Sequence, residues 1–159
     1  MTDALHPGSP APDFDLPADG GGRARLNDYA GRTVVLYFYP KDDTTGCTKE
    51  AADFTDQAQA FAAAGAVVIG VSKDSVASHD KFKAKYGLAP VLASDVHGAM
   101  IQSYGVWVQK SMYGRSYMGV DRSTFLIDGR GAVRHIWRKV KVPGHIAEVL
   151  KAVRELAPA

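Results

Sequence analysis

Thr33-Val34-Val35-Leu36-Tyr37-Phe38-Tyr39-Pro40 is the stretch from which the architecture is read. Its residues are β-branched or aromatic, apolar at odd and even positions alike, and stopped by a proline, as expected of a strand buried on both faces. The polar loop Lys41–Gly46 follows. Beyond it Ala51, Phe54, Ala58 and Phe61 recur at helical spacing until Gly65, a suitable residue just past a helix end, so the spacing predicts one helix over Thr45–Ala64. Ala66–Val71 is a second run of buried-strand type. Strand, helix and strand in this order form a right-handed βαβ unit with parallel strands.

On the N-terminal side, Phe14–Leu16 and Arg25–Leu26 flank the glycine-rich Ala18–Gly22 and are expected to pair as a hairpin. On the C-terminal side, Ser75 can cap a helix running through Phe82 and Tyr86 to Gly87, Val91–Ala93 reads as a short strand, and Asp95 can open a short helix to Tyr104. A Tyr-Gly-Arg turn lies within Met112–Val120. Ser123–Ile127 and Val133–Trp137, joined by Asp128-Gly129, form an antiparallel pair, and Ile146, Val149, Leu150 and Val153 mark a closing amphipathic helix. A central mixed sheet flanked by helices results, an α/β arrangement as in a thioredoxin-like fold, in a single domain over 1–159.

Composition agrees with one globular domain: 159 residues, 46% hydrophobic and 23% charged, with 19 basic against 17 acidic side chains. A net charge of +2 from scattered Lys and Arg gives no footprint for nucleic acid or an acidic membrane surface. The longest run without polar side chains, Ala60–Val71, is shorter than the ~20 residues that span a bilayer. Arg23 is the first basic residue and no apolar stretch follows a charged start, so a cytoplasmic address is expected. The lone cysteine, Cys47, fits that address and forbids an internal disulfide.

Cys47 is placed just past the carboxyl end of a central strand and in the first turn of a helix, where open α/β sheets carry their sites. Unpaired backbone N–H groups and the positive end of the helix dipole favour thiolate there, and thiolate is the nucleophile. A small buried hydrophobe is the alternative role for an isolated cysteine. Pro40 can shape a rigid collar beside the thiol or simply end the strand. Thr44 can aim its hydroxyl at the same spot or cap the helix. His6, His79, His97, His135 and His145 lack zinc-type spacing, and no glycine-rich phosphate loop precedes a helix, so neither metal nor cofactor is expected.

Pro40-x-x-x-Thr44-x-x-Cys47 resembles the peroxiredoxin active-site signature. The wider match of Tyr37–Asp42, Gly46–Thr48, Gly70–Ser75, Met112–Gly114 and Arg122–Asp128 resembles the bacterioferritin comigratory protein (PrxQ) subgroup, in consistent order from about Pro7 to about Leu150. The resemblance implies a thioredoxin fold, reduction of hydrogen peroxide and organic hydroperoxides without metal or prosthetic group, Cys47 as the peroxidatic cysteine and Arg122 as the cation beside it. It implies a monomer as well. Two departures qualify it: Thr45 stands where many members have proline, and Ala52 and Lys83 occupy the places of a resolving cysteine. An external thiol such as thioredoxin, glutaredoxin or glutathione is therefore expected to complete the cycle. A redox sensor or chaperone of the same fold, oxidised without turnover, is the alternative.

Overall fold

The computed structural model describes residues 4–156. Two short strands, β1 (Asp15–Pro17) and β2 (Arg23–Arg25), make an N-terminal hairpin. They are followed by β3 (Thr33–Phe38), the helices α1 (Thr45–Asp56) and α2 (Ala58–Ala63), and β4 (Ala66–Ser72). Next come α3 (Val76–Tyr86), β5 (Val91–Ser94) and the short α4 (Ala99–Ser103). A second hairpin, β6 (Trp107–Met112) with β7 (Arg115–Val120), precedes β8 (Ser123–Ile127), β9 (Val133–Trp137) and α5 (His145–Leu156).

The central sheet has the order β5-β4-β3-β8-β9, with β3, β4 and β5 parallel and β8 antiparallel to both β3 and β9. The expected mixed sheet is thus present, with β3 at its middle. Alternation along β3 divides the core. Val34, Leu36 and Phe38 face one cluster that contains Phe14, Ile101, Tyr104 and Phe125. Val35, Tyr37 and Tyr39 face the other, with Phe54, Phe61, Phe82, Val149 and Val153. Helices α1, α2, α3 and α5 cover the second face; α4 and the N-terminal hairpin pack on the first. Gly70, opposite Tyr37 in the β3–β4 register, is required by this packing, because a Cβ there would lie 2.6 Å from the Tyr37 ring.

Three expectations change in detail. The single helix over Thr45–Ala64 is broken at Gln57, whose φ of −104° and ψ of 13° leave the helical region. Just before the break, the Thr55 hydroxyl donates to the Ala51 carbonyl at 2.7 Å and accepts the Ala89 N–H at 3.0 Å. Such back-bonding bends helices. The short helix is also later than expected: Asp95 stands outside α4 and accepts the Ile101 N–H at 2.8 Å. Finally, the turn at Tyr113 and Gly114, both at positive φ, joins two six-residue strands, the first of which begins at Trp107. Its mixture of polar and apolar side chains on a two-stranded ribbon has no buried face to impose alternation.

His145 opens α5 and is buried against β8, with Nε2 2.8 Å from Thr124 Oγ1. Burial pushes it down to about 4, so it is neutral in the folded chain. Its folded value lies below the ordinary ~6.5 of the unfolded chain, so its contribution is full above that pH and is lost as pH falls through about 4. Stability is expected to drop by on the order of 2–3 kcal/mol across that window. Denaturant unfolding at a series of pH values checks this, and His145→Gln should flatten the slope.

Candidate active site

The loop between β3 and α1 is fastened by two consecutive aspartates facing opposite ways. Asp42, buried, accepts from the Tyr39 hydroxyl at 2.6 Å, the Ser78 hydroxyl at 2.8 Å and His79 Nδ1 at 2.7 Å, while its own N–H donates to Asp74 at 2.8 Å. Asp43, at a φ of 59°, accepts from Lys85 and the Tyr86 hydroxyl at the end of α3. His79 Nε2 lies 2.9 Å from the Ala93 carbonyl, so both ring nitrogens face acceptors and both carry protons. Burial alone would lower His79, but the Asp42 hydrogen bond and charge outweigh it and raise it. Asp42, Asp74 and His79 bring possible metal ligands within 4.8 Å of one another. With both His79 nitrogens donating, the cluster is a hydrogen-bond network that holds the loop rather than a donor set with a free lone pair.

This fastening sets the start of α1. Thr44 is its extended N-terminal flanking residue, and the first helical hydrogen bond is from Thr48 N–H to the Thr44 carbonyl at 2.8 Å. The N–H groups of Thr45, Gly46 and Cys47 come before it and carry the positive end of the helix dipole. Cys47 lies within that turn and is 1% exposed.

Arg122, two residues beyond β7, reaches across to this turn. Its Nη2 is 3.4 Å from Cys47 Sγ and its Nη1 donates to Glu50 Oε1 at 2.6 Å, so one guanidinium spans a thiol and a carboxyl placed three residues apart on one helix face. Burial opposes the Arg122 charge, but the neighbouring Glu50 and Cys47 outweigh it and raise its proton affinity. Gly46 makes the approach possible, since a Cβ there would sit 3.0 Å from Arg122 Nη2. Glu50 is fully buried, and burial, against the pull of Arg122, pushes its carboxyl up to about 7. Tyr37 lies beneath, stacked on Phe54 with ring centroids 4.7 Å apart, and burial first, then the charges of Glu50 and Cys47, drive its hydroxyl far above the ordinary range.

The family model described as AhpC/TSA covers residues 7–136. The chain belongs to the AhpC/TSA family. Its relatives are peroxiredoxins of the Bcp/PrxQ group, and it is a thiol-dependent peroxidase. A putative peroxiredoxin bcp of Coxiella burnetii is 50% identical over 147 residues, covering 92% of this chain and 97% of the relative. The peroxiredoxin Bcp of Bacillus subtilis is 47% identical over 150 residues, 94% of this chain and 96% of the relative. Among solved structures, a cysteine-to-serine variant of Xylella fastidiosa PrxQ superposes with a TM-score of 0.92 at 38% identity, covering 98% of this chain and 99% of that one. The Xanthomonas campestris bacterioferritin comigratory protein, studied for alkyl peroxide reduction, superposes at 0.85 with 46% identity over 89% of this chain and 90% of that one.

In this peroxiredoxin the four residues named from the sequence take different places. Cys47 and Arg122 meet. Thr44 is exposed one turn before the sulfur, its hydroxyl donating to the Lys41 carbonyl at 2.9 Å, which leaves its oxygen lone pairs free. Pro40 is exposed at the mouth of the loop. Of the two places for a resolving cysteine, Ala52 is half-buried on α1, and Lys83 pairs with Asp19 at 2.7 Å, tying α3 to the N-terminal hairpin. Glu50, Gly46, Tyr37 and the Asp42–His79 pair were not singled out by sequence. Tyr37, Asp42 and Gly46 lay within the segments that carry the family resemblance but were given no role, and Glu50 carried a signal in its spacing of three from Cys47 on a predicted helix. No helix among the described residues is long and apolar enough to cross a membrane.

Proposed function

We propose that this peroxiredoxin follows a one-Cys cycle in which Cys47 reduces hydrogen peroxide and organic hydroperoxides and an external thiol restores it. The observation that carries the proposal is the placement of the only sulfur nucleophile 3.4 Å from Arg122 Nη2 at a helix N-terminus, in a chain with one cysteine. The alkyl peroxide reduction activity named for the Xanthomonas neighbour supports the organic substrates.

In this cycle the Cys47 thiolate attacks the terminal peroxide oxygen, an S–O bond forms as the O–O bond breaks, and the departing oxygen takes a proton to leave as water or alcohol. Negative charge grows on that oxygen in the transition state, where the Arg122 guanidinium stabilises it, while the Thr44 oxygen, whose proton is given to the Lys41 carbonyl, accepts from the peroxide O–H and orients it. Pro40 keeps the loop mouth free of a competing N–H. The sulfenic acid is then attacked by a thiol of the thioredoxin, glutaredoxin or glutathione class, losing water and forming a mixed disulfide that a second thiol cleaves. With Cys47 1% exposed, direct bonding between two copies of Cys47 is sterically disfavoured in this state; the working form in this proposal is a cytoplasmic monomer, as the sequence resemblance implies.

Intact-mass spectrometry tests this. One equivalent of peroxide is expected to give a monomer with one added oxygen, glutathione to convert it to a mixed disulfide, and excess peroxide without thiol to add second and third oxygens. Rapid, quantitative formation of a disulfide-linked dimer, or an unmodified Cys47, would overturn it.

A further inference from the structure

Arg122 is one cation serving two buried acids. Its fork reaches Glu50 Oε1 at 2.6 Å and Cys47 Sγ at 3.4 Å, and both acids are shut off from solvent. If both were ionised, the cluster would hold one negative charge more than it can balance, without water to solvate it. Burying an unpaired charge costs far more than burying a neutral group. The balanced state has one acid ionised and the other protonated.

A second observation points to Glu50 as the protonated member. Its Oε2 is buried and makes no hydrogen bond among the described residues. A carboxylate shares its charge over both oxygens, so an ionised Glu50 would leave half its charge unsatisfied in the interior. A carboxylic acid there buries only a neutral hydroxyl.

We propose that Glu50 stores a proton while Cys47 is a thiolate, and that this proton neutralises the oxygen expelled when peroxide is reduced. The proposal rests on Cys47 being the attacking sulfur. Balanced, Cys47–S⁻, Glu50–COOH and ROOH become Cys47–SOH, Glu50–COO⁻ and ROH. Sulfur is oxidised by the electron pair that the peroxide takes up, the S–O bond replaces the O–O bond, and the proton ends on the leaving oxygen. Oxidation itself triggers the release. Once sulfur is a neutral sulfenic acid, the whole of the Arg122 charge falls to Glu50 and weakens its hold on the proton. Glu50 does not touch the peroxide, so the proton crosses through water that enters with substrate. Its role is that of a proton store acting through Arg122.

The groups facing the pair agree with this assignment. Tyr37 of β3 is the other buried hydroxyl without a partner among the described residues, and burial holds it neutral, so it adds no competing charge. Asp53, one turn further along α1, pairs with Lys49 at 2.8 Å, and its charge disfavours ionisation of Glu50. His145 of α5, within the field of Arg122, is kept neutral. With the carboxyl pushed up to about 7, the store is filled and emptied near neutral pH.

Infrared difference spectroscopy of the parent enzyme, reduced minus peroxide-treated, tests the proposal. Loss of a protonated-carboxyl band and gain of a carboxylate band are expected on oxidation. Labelling glutamate isotopically assigns the band, because Glu148 and Glu155, the only other glutamates, are exposed. Glu50→Gln keeps an acceptor for Arg122 and should remove the bands. It should also take up one more proton from solution per sulfur oxidised than the parent does, read with an indicator dye in weak buffer. Sulfenic acid formation is followed in the same samples by mass. If Cys47 is not oxidised, the one-Cys reading fails. If Cys47 is oxidised with no change in the carboxyl bands, or with equal proton uptake in parent and variant, the proton store is wrong. The parent spectrum decides even if Glu50→Gln does not fold.

Discussion

Cys47→Ser is expected to abolish peroxide reduction, bringing the rate down by several orders of magnitude to that of the added thiol reacting with peroxide alone. A serine hydroxyl remains protonated near neutral pH, and no general base touches this position to activate it: Arg122, its only hydrogen-bond partner among the described residues, is a cation. The loss should be one of chemistry and not of folding. Serine is smaller than cysteine, it can accept the Arg122 hydrogen bond, and the helix turn around it is set by the backbone of Thr44 to Thr48. Thermal unfolding within a few degrees of the parent, together with zero turnover under saturating thiol, is the expected pair of results. Turnover at a sizeable fraction of the parental rate would remove Cys47 from the mechanism.

What the sequence disclosed depended on whether the cause was local. The two-faced apolarity of Val34–Tyr39 is a local property, and it located the central strand and, from that, the end of the sheet at which Cys47 lies. The break at Gln57 was hidden because Thr55 is diverted by Ala89, a residue 34 positions away. Arg122 shows the same limit at the site. Nothing around it in sequence distinguishes a solvated arginine at a strand start from a cation 75 residues from its sulfur, and only the family resemblance picked it out. The segment after β3 reads in the sequence only as a polar loop, yet Asp42 within it is buried because His79, on α3, neutralises it. Buried charge is legible only when both partners are known, and here they are 37 residues apart.

Arg122→Met is expected to slow oxidation of Cys47 by ~10²–10³, the usual cost of removing one oriented donor to developing charge. Methionine keeps an unbranched stem out to the position of arginine Nε and removes the charge and the fork. Breaking a buried ion pair by deleting one partner ordinarily costs about 3–5 kcal/mol, because the remaining charge has no counterion. Glu50 escapes most of that cost. Its carboxyl is already held up to about 7, so without Arg122 it keeps its proton at neutral pH and stays buried as a neutral acid. The rate should therefore fall much further than the stability. Arg122→Lys should recover little of the rate, since a point charge on a flexible stem cannot hold Glu50 Oε1 and Cys47 Sγ at once. Gly46→Ala probes the same contact from the other side. The added Cβ would stand 3.0 Å from Arg122 Nη2, so the guanidinium must retreat by a few tenths of an ångström, and a partial loss in the same step is expected. Single-turnover kinetics of sulfenic acid formation, compared with denaturant unfolding of the same variants, separate the two effects. Parental rates in Arg122→Met would show that the helix N-terminus alone sustains the thiolate and that the guanidinium contributes only to packing.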